Sequence, residues 1–130
     1  MFANAPTVLL VDSPQDDRAM YAEYLRLCGL NPVEMDDTAA ALRCANQADV
    51  IVTGIRVNGP FDGVEFVRRL RDGHRAHNTP VIVLTACAFE SDRQRALAAG
   101  CDLFLAKPCL PDRLVISIQA VLTRGMSNAT

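Results

Sequence analysis

Three polar side chains stand where apolar runs of the chain end, and their types could do chemistry together. Asp12 follows one run, Thr85 ends another and Lys107 follows a third. In open parallel sheets, ligands bind at the carboxyl ends of strands. A hydroxyl and an ammonium beside one carboxylate indicate only a weak anion site. Gly54, which follows a further apolar run, adds no side chain to it.

These residues need a sheet to bring them together, and the rest of the chain predicts one. The predicted strands are Thr7–Val11, Pro32–Met35, Asp49–Thr53, Pro80–Thr85 and Asp102–Ala106. The predicted helices between and after them are Pro14–Cys28, Thr38–Gln47, Gly63–Asp72, Glu90–Ala99 and Pro111–Arg124. The first, third and fourth strands are almost wholly aliphatic, which is typical of strands buried on both faces of a parallel sheet. The alternation predicts a doubly wound α/β fold with five parallel strands flanked by five helices. Among such folds, we expect the flavodoxin-like type, whose strand order is 2-1-3-4-5.

Local signals place the ends and buried faces of the first and last helices. Ser13 before Pro14 predicts a helix N-cap, and Gly29 predicts the end of that helix. The predicted inward side chains are Met20, Tyr24, Leu27 and Cys28 on the first helix, and Leu114, Ile118, Val121 and Leu122 on the last. We expect a single domain over residues 1–130, with its core at about 7–124 and a frayed tail at Gly125–Thr130.

The composition of the chain argues against several classes of function. The net charge of −2 gives no basic field for nucleic acid, and half of the 130 residues are apolar, enough for a core. No apolar run approaches the ~20 residues that cross a bilayer, and Met1–Pro6 does not resemble a signal peptide. The five cysteines match no zinc pattern, so we expect a cytoplasmic chain with reduced thiols, most of them small core residues. His74 and His77 lie in a polar connection, where we expect them to be exposed.

Several segments closely resemble the receiver domain of two-component response regulators. They are Val8–Asp12, Ala48–Arg56, Phe61–Arg71, Val81–Ala86 and Phe104–Pro108, and the resemblance extends from about Thr7 to Arg124. In that family, an aspartate accepts a phosphoryl group from a histidine kinase. The resemblance implies a signalling domain rather than an enzyme.

The resemblance gives most residues at the strand ends a family role. Asp12 matches the first of two adjacent acids, and Thr85 matches the hydroxyl residue that senses the phosphoryl group. Lys107 matches the lysine that pairs with the acceptor and then with the phosphate, and its bond to Pro108 is commonly cis in the family. Phe104 matches the aromatic residue whose rotation accompanies activation.

The chain departs from the family pattern at two acids. Gly54 stands where the phosphoacceptor aspartate should be, and Ser13 stands where the second acid should be; Cys109 also replaces a usual phenylalanine. The family reaction needs a carboxylate nucleophile and a bound Mg²⁺. With Asp12 the one acid left, even with a backbone carbonyl such as that of Arg56, we expect weak or absent Mg²⁺ binding, no cofactor, no catalytic residue and no acyl phosphate. The degenerate pocket thus comprises Asp12, Ser13, Gly54, Thr85 and Lys107.

Structural roles also explain the same residues. Ser13 could cap the first helix, and Asp12 and Lys107 could form a structural ion pair. The hydroxyl of Thr85 could bond to the backbone. Gly54 could serve a loop with positive φ, although this would not account for the loss at Ser13.

The leading hypothesis is a pseudo-receiver that works as a phosphorylation-independent protein-interaction module. Its predicted face combines Glu90–Ala99, Leu103–Ala106 and Pro111–Arg124, for a protein partner or a homodimer, with whichever of Val115 and Ile116 points outward as an apolar contact. The alternative is a small anion or metabolite bound through Thr85 and Lys107 as a phosphate mimic. An enzyme is disfavoured because the acids that this chemistry needs are missing, and neither nucleic acid nor a membrane is an expected partner.

Overall fold

The strands and helices alternate along the whole described chain. The structure, a computed structural model, describes residues 5–13, 15–73 and 76–129. The strands are β1 (Thr7–Val11), β2 (Asn31–Met35), β3 (Val50–Thr53), β4 (Val81–Thr85) and β5 (Leu103–Ala106). The helices are α1 (Gln15–Leu27), α2 (Thr38–Cys44), α3 (Gly63–Arg71), α4 (Glu90–Ala99) and α5 (Pro111–Ala129), with a 3₁₀ turn at Ala45–Gln47. Within these residues, no helix is long and apolar enough to cross a membrane.

The five strands form one parallel sheet in the order β2-β1-β3-β4-β5, which confirms the predicted fold. Val11 at the end of β1 pairs with Thr53 at the end of β3, and Thr85 at the end of β4 pairs with Ala106. The backbone pairing continues one residue further. The N–H of Gly54 donates to the Val11 carbonyl at 2.9 Å, and the N–H of Lys107 donates to the Thr85 carbonyl at 2.8 Å. The sheet therefore brings the carboxyl ends of these strands to one edge.

Side chains alternate between two cores on the two faces of the sheet. Leu9 and Val11 of β1 enter the core that contains Phe66 of α3. Leu10 enters the other core, where Leu25 of α1 and several side chains of α5 pack against the sheet. Strands β3 and β4 are buried along their whole lengths, as their aliphatic sequences predicted.

The predicted inward face of α1 was wrong, whereas that of α5 was correct. Met20, Leu27 and Cys28 are exposed and Tyr24 is half-buried, while Tyr21, Ala22 and Leu25 are buried. Apolar residues surround much of α1, so periodicity alone left its rotation open, and the sheet covers only one arc of the helix. On α5, Leu114, Ile118 and Val121 are buried and Leu122 is half-buried.

The predicted end of the last helix was wrong, because α5 continues to Ala129 rather than ending at Arg124. A glycine such as Gly125 costs a helix only about 1 kcal/mol relative to alanine, and each further residue adds a backbone hydrogen bond. Thr130 lies outside the described residues. The turn at Gly29 is as predicted, with a φ of 82° that suits glycine.

The expectation that most cysteines lie in the core is met in part, since Cys101 is a core residue and three others pack partly buried against the two cores. Cys101 is buried, Cys28 is exposed, and Cys44, Cys87 and Cys109 are half-buried. All five stand at the end of a helix or in a loop, so the element type does not separate Cys101 from the others. Burial, the largest influence, raises the pKa of Cys101 to about 11. His77 is exposed, as expected, whereas His74 lies outside the described residues.

Gly63 allows α3 to begin directly against the end of β3. Its N–H donates to the carbonyl of Ile55 at 2.8 Å, and a Cβ at Gly63 would overlap the carbonyl oxygen of Gly54. Asp62 caps the helix by accepting a hydrogen bond from the N–H of Glu65 at 2.9 Å. The position of Gly54 therefore depends on the absence of a side chain at Gly63.

We expect Gly63→Ala to destabilise the fold by about 3 kcal/mol or more, because the two overlapping atoms belong to stiff backbone. Gly73→Ala is the matched control: a Cβ there meets nothing within 4 Å, and the φ of 76° costs only about 1–2 kcal/mol. Urea unfolding would measure both. An equal or smaller loss at Gly63 would contradict the proposed close approach.

Candidate functional site

The structure brings four of the predicted site residues together. Asp12, Gly54, Thr85 and Lys107 line one cavity of about 210 Å³ at the carboxyl edge of the sheet. Its other lining residues are Ile55, Arg56, Ala86 and Cys87. Ser13, the fifth predicted residue of the pocket, lies beside the cavity in the β1–α1 loop.

The charged centre of this cavity is an ion pair between Lys107 and Asp12. The Lys107 Nζ lies 2.7 Å from Oδ2 of Asp12, and the two side chains are only 12% and 9% exposed. The same ammonium lies 3.0 Å from Oδ2 of Asp17, whose side chain is 49% exposed. The structural ion pair predicted for Asp12 and Lys107 is present, and a second carboxylate extends it.

Asp17 was not predicted from the sequence. Its position in the first turn of α1 is one where acids are common, because they complement the positive end of the helix dipole. Two adjacent aspartates open this helix, and only the rotation of the helix about its axis decides which of them faces Lys107. Nothing else in the sequence around Asp17 indicates that it contacts Lys107.

The two carboxylates keep the Lys107 ammonium charged despite its burial. Burial is the largest single influence and by itself would lower the pKa of Lys107. The hydrogen bonds and charges of Asp12 and Asp17 together outweigh it, so the pKa lies above its ordinary value of 10.5. Lys107 is therefore a permanent cation at physiological pH, and its charge is already matched by two acids.

The carboxylate of Asp12 occupies the space beside Gly54. A Cβ built on Gly54 would lie 2.9 Å from Oδ1 of Asp12, and 3.5 Å from a methyl group of Val57. Oδ1 of Asp12 also accepts a hydrogen bond from the N–H of Ser13 at 3.0 Å. Any side chain at position 54 would therefore force Asp12 to move.

Ser13 joins the loops on either side of the pocket. Its Oγ accepts a hydrogen bond from the N–H of Asn58 at 2.7 Å, which links the β1–α1 loop to the β3–α3 loop. The helix-capping role of Ser13 stays a prediction, because Pro14 lies outside the described residues.

Thr85 uses its hydroxyl on the backbone, as the structural interpretation predicted. Its side chain is buried, and Oγ1 accepts a hydrogen bond from the N–H of Cys87 at 3.0 Å. Thr85 and Lys107 share the cavity, which the anion hypothesis requires. Because Lys107 is held by two carboxylates, the geometry weighs against that hypothesis.

Phe104, the predicted switch aromatic, lies apart from the cavity. It is half-buried on β5 and packs against the core that contains Phe66. It also lines a groove of about 360 Å³ between β5 and the start of α5. The bond between Lys107 and Pro108 is cis, as the resemblance implied.

The residues of this pocket do not fit a magnesium site. Mg²⁺ requires near-octahedral oxygen ligands, and proteins hold it chiefly with carboxylates. Here Oδ2 of Asp12 is committed to Lys107, Ser13 Oγ accepts from Asn58, and Gly54 has no side chain. Within residues 5–13, 15–73 and 76–129, no three His, Cys, Asp or Glu side chains are grouped to hold a metal.

The fold and the strand-end pocket define a signalling domain of the response-regulator type. Residues 8–119 match the family model described as "Response regulator receiver domain". The chain belongs to this family.

The relatives and solved structures agree with this family. The chain is 40% identical over 129 residues to the transcriptional regulatory protein PrrA of Mycobacterium tuberculosis, covering 97% of this chain and 54% of that protein. It is 33% identical to the phosphate regulon transcriptional regulatory protein PhoB of Escherichia coli, covering 92% of this chain and 53% of that protein. The chain thus spans about half the length of these regulators.

Two solved structures resemble the fold over nearly its whole length. The receiver domain of the Francisella response regulator 1452 matches with a TM-score of 0.83 and 28% identity, covering 92% of this chain and 98% of that one. The receiver domain of the sensor histidine kinase PA1611 of Pseudomonas aeruginosa matches with a TM-score of 0.78 and 28% identity, covering 95% and 98%. The latter structure holds a magnesium ion in its active-site cleft.

The raised pKa of Lys107 predicts a defined pH dependence of stability. A raised pKa in the folded state means that the ion pairs stabilise the fold below pH 10.5 and that this contribution is lost as the pH rises through the folded pKa. We expect Asp17→Asn to cost about 0.5–1 kcal/mol at neutral pH, since Asp17 is half-exposed. As the pH rises from neutral, the difference from the wild type should shrink only above pH 10.5.

Urea unfolding at a series of pH values would measure this difference. Asp36→Asn is the matched control, because Asp36 is exposed and makes no ion pair with the described residues. A difference that vanishes already below pH 9, or that equals the control at neutral pH, would contradict the pairing of Asp17 with Lys107.

Proposed function

We propose that this chain is an atypical receiver that is not phosphorylated at the usual site and acts as a phosphorylation-independent protein-interaction module. The observation that carries the proposal is the state of the pocket at Gly54. No carboxylate stands at the end of β3, and the Asp12 carboxylate fills the adjacent space while paired with Lys107.

The chemistry of phosphoryl transfer explains why this pocket is inert. An acyl phosphate forms only on a carboxylate nucleophile, and the transferring group needs a metal ion to neutralise its charge. Asp17 does not replace the lost acids, since it contacts Lys107 from α1 with a half-exposed side chain. We therefore propose that the domain uses neither Mg²⁺ nor a phosphate donor.

Without a phosphoryl group, another interaction must set the state of the domain. Phosphorylation acts on a receiver by biasing an equilibrium between two conformations. A partner that binds one of them preferentially biases the same equilibrium by its difference in affinity. The signal of this domain therefore arrives by binding.

The surface formed by α4, β5 and α5 offers apolar groups for such a partner. Phe89, Leu110 and Ile116 are 75%, 73% and 61% exposed, while Val115 is buried. The groove beside Phe104 lies on this surface, and β5 is an edge strand of the sheet. Exposed apolar groups around a groove are typical of protein contacts.

Incubation with acetyl phosphate and Mg²⁺ tests the loss of chemistry. We expect intact-protein mass spectrometry to show no added phosphoryl group and fluorine-19 NMR to show no bound beryllofluoride. A stoichiometric aspartyl phosphate on the wild type would overturn the proposal.

The double variant Ser13→Asp with Gly54→Asp is the matched positive control. It returns both acids, and we expect it to recover measurable Mg²⁺ binding. Gly54→Asp alone should recover little, because the metal site stays one acid short. The new Cβ, 2.9 Å from Oδ1 of Asp12, shifts that carboxylate equally in both variants. Metal binding by the single variant equal to that of the double variant would show that Ser13 matters less than proposed.

Self-association of the protein tests whether the surface of α4, β5 and α5 mediates a homodimer. We expect the wild type to associate as its concentration rises, and Ile116→Glu to weaken association at least tenfold, or about 1.4 kcal/mol. Met20→Glu, an equivalent change at an exposed position of α1, should leave it unchanged. Sedimentation velocity would measure all three, and equal weakening by both variants would place the contact elsewhere.

A further inference from the structure

Lys107 is the only lysine of the chain. The sequence has 13 lysine and arginine residues in total, and every other member of that set is an arginine. This single side-chain ammonium lies at the charged centre of the cavity that Asp12, Gly54 and Thr85 also line. Chemistry that distinguishes lysine from arginine is thus confined to one place in the chain.

The surroundings of Lys107 Nζ are those of a bound cation. Two carboxylate oxygens lie 2.7 and 3.0 Å away, one from Asp12 and one from Asp17. The ring of Tyr21 lies 6.0 Å from Nζ and completes one side of this environment. A compact ammonium with three freely rotating donors suits such a site, whereas the planar fork of arginine fixes its donors in one plane.

We infer that the Lys107 ammonium is the resident cation of this pocket: held by Asp12 and Asp17, it closes the pocket to divalent metal ions. The inference rests on the proposed function and deepens it. In place of an exchangeable ion, the chain supplies a positive charge that is covalently attached and always present. The ammonium offsets one of the two carboxylate charges without any metal.

The same contacts tie α1 to the link between β5 and α5. Lys107 in that link contacts Asp17 of α1, and the hydroxyl of Tyr21 on α1 donates to the carbonyl of Cys109 at 2.7 Å. Two independent hydrogen bonds thus join the same two segments. The internal cation therefore both offsets part of the negative charge of the pocket and holds its wall in one arrangement.

Removing the ammonium should reveal a metal site. In Lys107→Met, the Asp12 and Asp17 carboxylates lose their counter-ion at one edge of the sheet, and carboxylate ligands suit Mn²⁺. We expect no saturable Mn²⁺ binding to the wild type in water-proton relaxation measurements. The Lys107→Met variant should bind at least tenfold more tightly, and Lys107→Met with Asp17→Asn should return to the wild-type level.

Arg113→Met is the control for the change in net charge. Arg113 is an exposed cation on α5 that lies outside the pocket, so its removal should leave Mn²⁺ binding unchanged. Wild-type binding as tight as that of Lys107→Met would overturn the inference. Retention of tight binding after Asp17→Asn would overturn it too, because Asp17 would not be part of the site.

These results are separable from the phosphorylation test. Wild-type protein that binds Mn²⁺ yet takes up no phosphoryl group would refute the resident cation and leave the proposed function standing. An aspartyl phosphate on the wild type would refute the proposed function directly.

A measurement on the wild type covers the case in which Lys107→Met fails to fold. A single side-chain ammonium exists, so nitrogen–proton correlation spectra can show it without ambiguity. We expect a protected Lys107 ammonium signal whose position changes in Asp17→Asn. An ammonium in rapid exchange with water in the wild type would contradict the inference.

Discussion

The pairing of Lys107 with Asp12 is the interaction on which the site depends. Both side chains are almost completely buried, and a charge can be buried only when another charge compensates it. The pair joins the end of β1 to the end of β5, which lie on opposite sides of β3 and β4 in the sheet. The fold must therefore bring distant strand ends to one edge before this pair can form.

Two glycines, which have no side chain, leave the space in which Asp12 can pair with Lys107. Gly54 leaves room for the Asp12 carboxylate, and Gly63 lets α3 begin against the carbonyl of Gly54. The Asp12 carboxylate, paired with Lys107, fills the space beside Gly54. The charged groups of the pocket are therefore paired with one another within the fold.

The sequence predicted the sheet, its strand order and the convergence of Asp12, Gly54, Thr85 and Lys107, because aliphatic runs and strand ends are local patterns. It did not predict which face of α1 is buried, since apolar residues occur around much of that helix. The packing of α1 against the sheet determines which of them are buried. Asp17 was missed for the same reason. Its role follows from the rotation of α1, which the short-range pattern does not determine. The helix α5 extends beyond its predicted end, because a single glycine such as Gly125 costs a helix only about 1 kcal/mol.

The most direct test is a crystal structure of the wild-type domain soaked with Mg²⁺ and beryllofluoride. The account predicts no bound metal or fluoride complex beside Gly54, with the Lys107 ammonium still between Asp12 and Asp17. A magnesium ion coordinated by Asp12, with Lys107 displaced from that carboxylate, would contradict the account.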